Sequence, residues 1–159
     1  MKAAALNEIK KELGSRDIEE VRSLCLKLAR YKKENKELLT YLLFESQDEA
    51  AYVEHIKGEI DEHFDSLPSG NVYFIKKGLR KILRIANKQI KYSAIPNTEV
   101  ELRIHFCSNI RKHNIALRSS PVLTNMYMMQ LRKINTALSK LPDDLQYDFA
   151  HDMEQLQKL

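Results

Sequence analysis

Three groups of residues have types and spacing from which chemistry can be built. His55, Glu59 and His63 recur at i, i+4 and i+8 within a segment rich in Asp and Glu. Imidazole and carboxylate one helical turn apart can reach a common divalent ion, which is where a metal site starts. From i to i+8, however, a helix rises about 12 Å, so the three cannot surround one ion. The Glu-x-x-His spacing of metal centres in helical bundles is also absent. A solvated polar face, with no metal, is the expectation. Asp148, His151 and Asp152 form the second group. An acid beside an imidazole can move protons, but only with a cleft and a positioned substrate, and this spacing occurs on ordinary surface helices. The third group is the two cysteines. Cys25 sits in Leu24-Cys25-Leu26 and Cys107 follows Phe106, both in apolar helical pattern. Neither belongs to a Cys-x-x-Cys pair, so zinc is not expected. Buried, inert thiols in a reducing compartment are the expectation for both. His105 and His113 have no partner evident in sequence. Phosphate-binding glycine loops, Gly-x-Ser-x-Gly elbows and His-Glu-x-x-His motifs are absent. The chain therefore reads as non-enzymatic, with no cofactor. An enzyme assembled from scattered His and acidic residues is the third-ranked alternative.

Charge is the stronger signal. The net charge of +4 hides an acidic–basic–acidic partition. Met1 to Asp65 carries 11 basic and 15 acidic residues; Ser66 to Pro142 carries 14 basic and two acidic; Asp143 to Leu159 carries one basic and five acidic. The basic block centres on Ser69 to Ser93, with seven Lys or Arg and no Asp or Glu. There Ile75, Leu79, Ile82, Leu83, Ala86 and Ile90 recur at threes and fours and predict one apolar helix face. Lys77, Lys81, Arg84, Lys88 and Lys91 recur at the same spacing on another face. Such a ridge can bind nucleic-acid phosphates, with Arg103, Arg111, Lys112, Arg118, Arg132 and Lys133 extending the field and Tyr73, Tyr92 or Tyr127 stacking on bases. The plainer alternative, which the sequence favours, is internal compensation by Glu54, Glu59, Glu62 or Asp148 on the acidic helices. Exposed pairs of that kind contribute only about 0–1 kcal/mol each. An acidic protein partner is a further possibility.

The elements that must position these residues are helices. A chain of 159 residues, 43% hydrophobic and 30% charged, suits one soluble domain with its own core. Four Gly and four Pro are too few for an all-β fold rich in tight turns. No stretch approaches the roughly 20 apolar residues of a membrane span, and the charged N-terminus does not read as a secretory signal, so a cytoplasmic protein is expected. Helices are predicted over Ala3–Leu13, ended by Gly14, and over Asp17–Tyr31, with a capping box at Asp17 and Glu20. Polar residues 32–37 predict a corner. Leu38–Glu45, apolar nearly all round, is expected to be deeply buried. Ser46 is expected to cap the acidic helix, which ends at the Pro68-Ser69-Gly70 connector. Beyond the basic helix, Thr98 is expected to cap the next one. Ser120 and Pro121 open another, whose apolar residues are read as Val122, Leu123, Met126, Met129, Ile134, Leu138 and Leu141, with Met126 and Met129 sharing the core stripe of Leu123. Asp143 opens a short acidic helix. This makes seven or eight antiparallel helices, as a short HEAT-like solenoid or a compact orthogonal bundle.

The run from Leu28 to Glu45, Leu-Ala-Arg-Tyr-Lys-Lys-Glu-Asn-Lys-Glu-Leu-Leu-Thr-Tyr-Leu-Leu-Phe-Glu, resembles part of a family of small all-helical bacterial proteins whose helix pairs are similar to HEAT hairpins. The resemblance implies a fold type and no activity. The functional expectation is a helical scaffold binding a protein partner or itself, with nucleic-acid backbone binding through Lys77, Lys81, Arg84, Lys88, Lys91, Arg118 and Arg132 as the alternative.

Overall fold

The computed structural model describes residues 1–68 and 70–158, and among them the protein is all-helical, with nine α-helices and no strand. Ser69, in the expected connector, lies outside the described residues. The chain divides into two compact units, Met1–Phe44 and Glu45–Leu159. No helix among the described residues is long and apolar enough to cross a membrane.

The first unit holds α1 (Leu6–Gly14), α2 (Ile18–Tyr31) and α3 (Lys33–Thr40), and its last residues enter a π-helical turn, Tyr41–Glu45. The capping box read from the sequence is present: the Glu20 N–H donates to Asp17 Oδ1 at 2.8 Å, and the Asp17 N–H donates to Glu20 Oε2 at 3.3 Å. The predicted corner shrinks to Lys32 alone, which is extended at φ −140° and ψ 145°. Lys33 to Glu37 resume the helix because Lys and Glu are good helix formers wherever nothing opposes them. Asn35 Nδ2 bridges the corner, donating to the Leu28 carbonyl at 2.9 Å.

Burial in this unit differs from expectation. No side chain of α1, α2 or α3 is buried. Leu42, Leu43 and Phe44, expected deep in the core, are exposed, and only Tyr41 beside them is buried. Cys25 is exposed as well. Apolar periodicity reports which face seeks cover; it does not report whether the same chain supplies it.

The second unit is a helical bundle of α4 (Glu49–Asp65), α5 (Val72–Ser93), α6 (Pro96–Lys112), α7 (Pro121–Leu138), α8 (Asp143–Asp148) and α9 (Ala150–Gln157). Its pole is α6, which packs against α4, α5, α7 and α9. A helix covered on several sides is apolar on several sides, and Val100, Leu102, Ile104, Phe106 and Cys107 of α6 are all buried. Phe64 of α4 meets Phe106 with ring centroids 5.5 Å apart and planes tilted by 57°, a favoured aromatic geometry.

Three boundaries move. Asp48, not Ser46, caps α4, its carboxylate accepting the Ala51 N–H at 3.0 Å. Pro96 opens α6 two residues before Thr98, since proline suits a helix's first turn. Thr98 is instead buried, and its hydroxyl and that of Ser93 both donate to Glu49 Oε1 at 2.5 Å. Glu49 thereby ties the start of α4 to the α5–α6 corner, where Ala94 adopts φ 55°. The last acidic helix breaks at Phe149 into α8 and α9.

The core face of α7 is rotated by about one residue. Tyr127, Gln130 and Leu131 are buried, whereas Met129 is exposed and Met126 only half-buried. Each inward polar tip has a partner: Tyr127 donates to the Leu156 carbonyl at 2.9 Å, and Gln130 accepts from Arg103 at 2.7 Å. Apolar counting cannot anticipate a core position filled by a satisfied polar side chain.

Candidate nucleic-acid interface

The site begins with α5. Asn71 caps it, its Oδ1 accepting the Tyr73 N–H at 2.9 Å. Gly70 before it takes φ 91°, a left-handed conformation that glycine adopts without strain. Leu79, Ile82, Ala86 and Ile90 form the buried line of the helix. At the helical turn angle, Lys77, Lys81, Arg84, Lys88 and Lys91 fall within about 80° of one another, directly opposite that line. The ridge from Lys77 to Lys91 is about 21 Å long at 1.5 Å per residue. Lys77, Lys81, Arg84 and Lys91 are exposed; Lys88 is half-buried and engaged within the fold.

Glu54, Asp61 and Asp65 of the acidic helix pair away from Lys77, Lys81, Arg84 and Lys91. On α4, Glu54 pairs with Lys57 of its own helix at 2.7 Å, and Lys57 also pairs with Glu101 of α6 at 2.8 Å. Asp61 takes His105 of α6 at 2.7 Å, and Asp65 lies 3.5 Å from His113. The carboxylates thus turn to their own helix and to the pole of the bundle. Among the described residues, no carboxylate lies within 4.0 Å of the ammonium or guanidinium groups of Lys77, Lys81, Arg84 or Lys91. The hydrogen bond and charge of Lys57 hold the Glu54 carboxyl below its ordinary range. For Lys57, partial burial pulls the ammonium down, but hydrogen bonds to Glu101 and Glu54 outweigh it and leave the group above its ordinary value.

The wider basic field divides. Arg103 is buried inside the bundle, donating to Glu99 at 2.8 Å, to Asn87 at 3.0 Å and to Gln130 at 2.7 Å. It holds α5, α6 and α7 together and presents no charge to a ligand. Arg111 donates to the carbonyls of Gln155 and Lys158, the latter at 2.9 Å, a cation on the last carbonyls of α9. Arg118, in the 3-10 turn Leu117–Ser119, and Arg132, on α7, are exposed but lie outside the α5 stripe.

Of the aromatic candidates, Tyr127 is buried and Tyr92 half-buried, so neither offers a free ring. Tyr73 is 63% exposed and meets Phe74, also exposed, edge to face with centroids 5.3 Å apart. The pair stands at the N-terminal end of the ridge. Sequence reasoning missed Phe74, although its place off the three-and-four apolar stripe was the available sign.

Two of the five histidines, His105 and His113, take structural roles. Asn109 Nδ2 donates to Asp61 Oδ1 at 2.8 Å and to the His105 carbonyl at 3.1 Å, so His105, Asp61 and Asn109 fasten α4 to α6. His113 stacks on Phe64 with centroids 5.5 Å apart. Among the described residues no group of three His, Cys, Asp or Glu side chains stands close enough to hold a metal, His55, Glu59 and His63 included. Burial pushes the Cys107 thiol up to about 12, the ordinary behaviour of an inert core cysteine. Compared with protein-family models, with curated proteins and with solved structures, the chain finds no match.

Proposed function

We propose that the protein binds the phosphate backbone of nucleic acid along the exposed ridge of α5. The observation that carries this reading is the row of four exposed cations, Lys77, Lys81, Arg84 and Lys91, opposite the buried line of the helix and without an ion-pair partner among the described residues. Such a row gains by releasing counterions from phosphates. Tyr73 and Phe74 at its end supply faces on which an unpaired base can stack. Arg118 and Arg132 contribute to the long-range field that speeds encounter. The HEAT-like arrangement belongs to the same proposal, since α4 with α5 and α6 with α7 are consecutive packed pairs. So does a cytoplasmic location, which suits two free thiols. The scaffold role expected from sequence is the second reading, supported by exposed apolar residues of the N-terminal helices such as Ile18 and Leu28.

The test is fluorescence anisotropy with a labelled single strand and a labelled duplex, titrated at several salt concentrations. With the four exposed ridge cations engaged, log K falls against log salt with a slope of about −3.6 for duplex or about −2.8 for single strands. Lys77→Glu, Lys81→Glu and Arg84→Glu together abolish binding and leave the helical circular dichroism unchanged, because none of the three has an ion-pair partner among the described residues. No binding at low salt, or equal binding by the triple variant, overturns the reading.

A further inference from the structure

Tyr73 and Phe74 stand where the cations of α5 begin. By the helical turn angle, Tyr73 falls inside the stripe of about 80° that holds Lys77, Lys81, Arg84 and Lys91, and Phe74 lies about 20° beyond its edge. The row from Tyr73 to Lys91 is straight and about 27 Å long. Neighbouring helices reach α5 on either side of this stripe and leave it open: Tyr52 of α4 donates to Gln89 at 2.8 Å, and Arg103 of α6 donates to Asn87 at 3.0 Å. Tyr73 is 63% and Phe74 49% exposed. Their rings meet edge to face, centroids 5.3 Å apart and planes at 78°. In that geometry one ring offers its edge, so the other covers neither of its faces.

Charge alone does not choose between nucleic acids, since duplexes and single strands both carry phosphates. The rings do choose. A duplex stacks its bases on one another, and its phosphates follow a helical path that departs from a straight row of cations. An unpaired strand can lie along such a row with its base faces free, and each base that stacks on an aromatic ring adds to binding.

Building on the backbone-binding reading above, we infer that the ligand is a single strand, with unpaired bases stacked on Tyr73 and Phe74 and the adjoining phosphates on Lys77, Lys81, Arg84 and Lys91. The rings fix where the strand sits on the ridge, and the cations fix its path. Stacking is tolerant of base identity, so strands of different sequence bind alike. DNA and RNA strands share this chemistry.

The test measures anisotropy of the full chain with labelled single strands of about ten nucleotides, as DNA and as RNA. A duplex of the same length and a single strand of abasic sites serve as the comparisons. The wild type binds single strands more tightly than either. Tyr73→Ala with Phe74→Ala weakens single-strand binding about tenfold or more. The same variant binds the duplex and the abasic strand as the wild type does, which also shows that the ridge is still folded. Its salt slope on single strands is unchanged, because no cation has been removed. The chain has no Trp, so Tyr73→Trp places a single reporter at the site, and single strands quench its emission where the abasic strand does not. The DNA and RNA arms tell which strand the site takes. A duplex bound as tightly as the single strands, a double variant that loses nothing on them, or an unquenched Trp overturns this inference and leaves backbone binding standing. No binding of any nucleic acid overturns both.

Discussion

Arg103 allows a quantitative test of how the bundle is held together. Its side chain is 6% exposed, and its ion-pair partner Glu99 is 25% exposed. Two neutral acceptors, Asn87 and Gln130, complete the contacts of the guanidinium. Removing the carboxylate with Glu99→Ala strands a buried cation on neutral partners. Stranding a buried charge costs about 3–5 kcal/mol, and the partial exposure of Glu99 brings the expectation here to about 2–3 kcal/mol. Replacing the network by apolar groups is a different perturbation. Arg103→Met combined with Gln130→Leu removes the charge and the buried amide together and leaves Glu99 able to reach water. The expected change is within about 1 kcal/mol, since apolar replacement of a buried polar network is often close to neutral. Urea denaturation followed by circular dichroism at 222 nm measures both variants on one scale. If Glu99→Ala costs no more than the double substitution, Arg103 is not the desolvated, ion-paired residue described above.

Three further outcomes follow from the same structure. A thiol reagent titrates one cysteine per native chain, Cys25, and both in denaturant, because Cys107 is buried and its thiol is pushed up to about 12. Stability erodes on the alkaline side. Cys107 and Tyr127 have raised values, mainly through burial, so above about pH 9 and pH 10 the unfolded chain ionises where the native chain does not. The raised ammonium of Lys57 contributes stability below its ordinary value that is lost as pH climbs through the folded one, and denaturation midpoints from pH 8 to 11 check the combined decline. Ala94→Gly raises stability by about 0.5–1 kcal/mol, because Ala94 caps α5 at φ 55°, where a Cβ is strained; an unchanged or lower urea midpoint refutes this.

What the sequence made legible was whatever depends on one helix at a time. The α5 helix and four residues of its apolar line, Leu79, Ile82, Ala86 and Ile90, were legible because the helical period alone sets them. The Asp17–Glu20 box survived for the same reason: its two hydrogen bonds span three residues. Features that need a second helix were hidden. Met129 and Tyr127 are nearly equal as apolar candidates, and the choice between them is made by the Leu156 carbonyl waiting for a hydroxyl. Arg103 reads as one more surface cation until Gln130 and Asn87 are seen around it. His105 has no partner within its own segment and finds Asp61 on α4. Internal pairing of the ridge with α4 was expected from chain order, since α5 follows α4; Glu54 instead pairs within α4, and Asp61 reaches α6, the helix that packs against four others.

That no side chain of α1, α2 or α3 is buried has a thermodynamic consequence. Isolated helices shorter than about 12–15 residues are marginal in water, because nucleation fixes several residues for one hydrogen bond. These helices have 9, 14 and 8 residues. With α2 and α3 packed on each other but none of their side chains fully buried, tertiary burial offsets nucleation only in part, and cover on their apolar faces would stabilise them. Association of this unit then carries an ordering cost that a rigid surface would not have. Any association through these faces would have its affinity lowered by that cost, with helicity rising as the faces are covered.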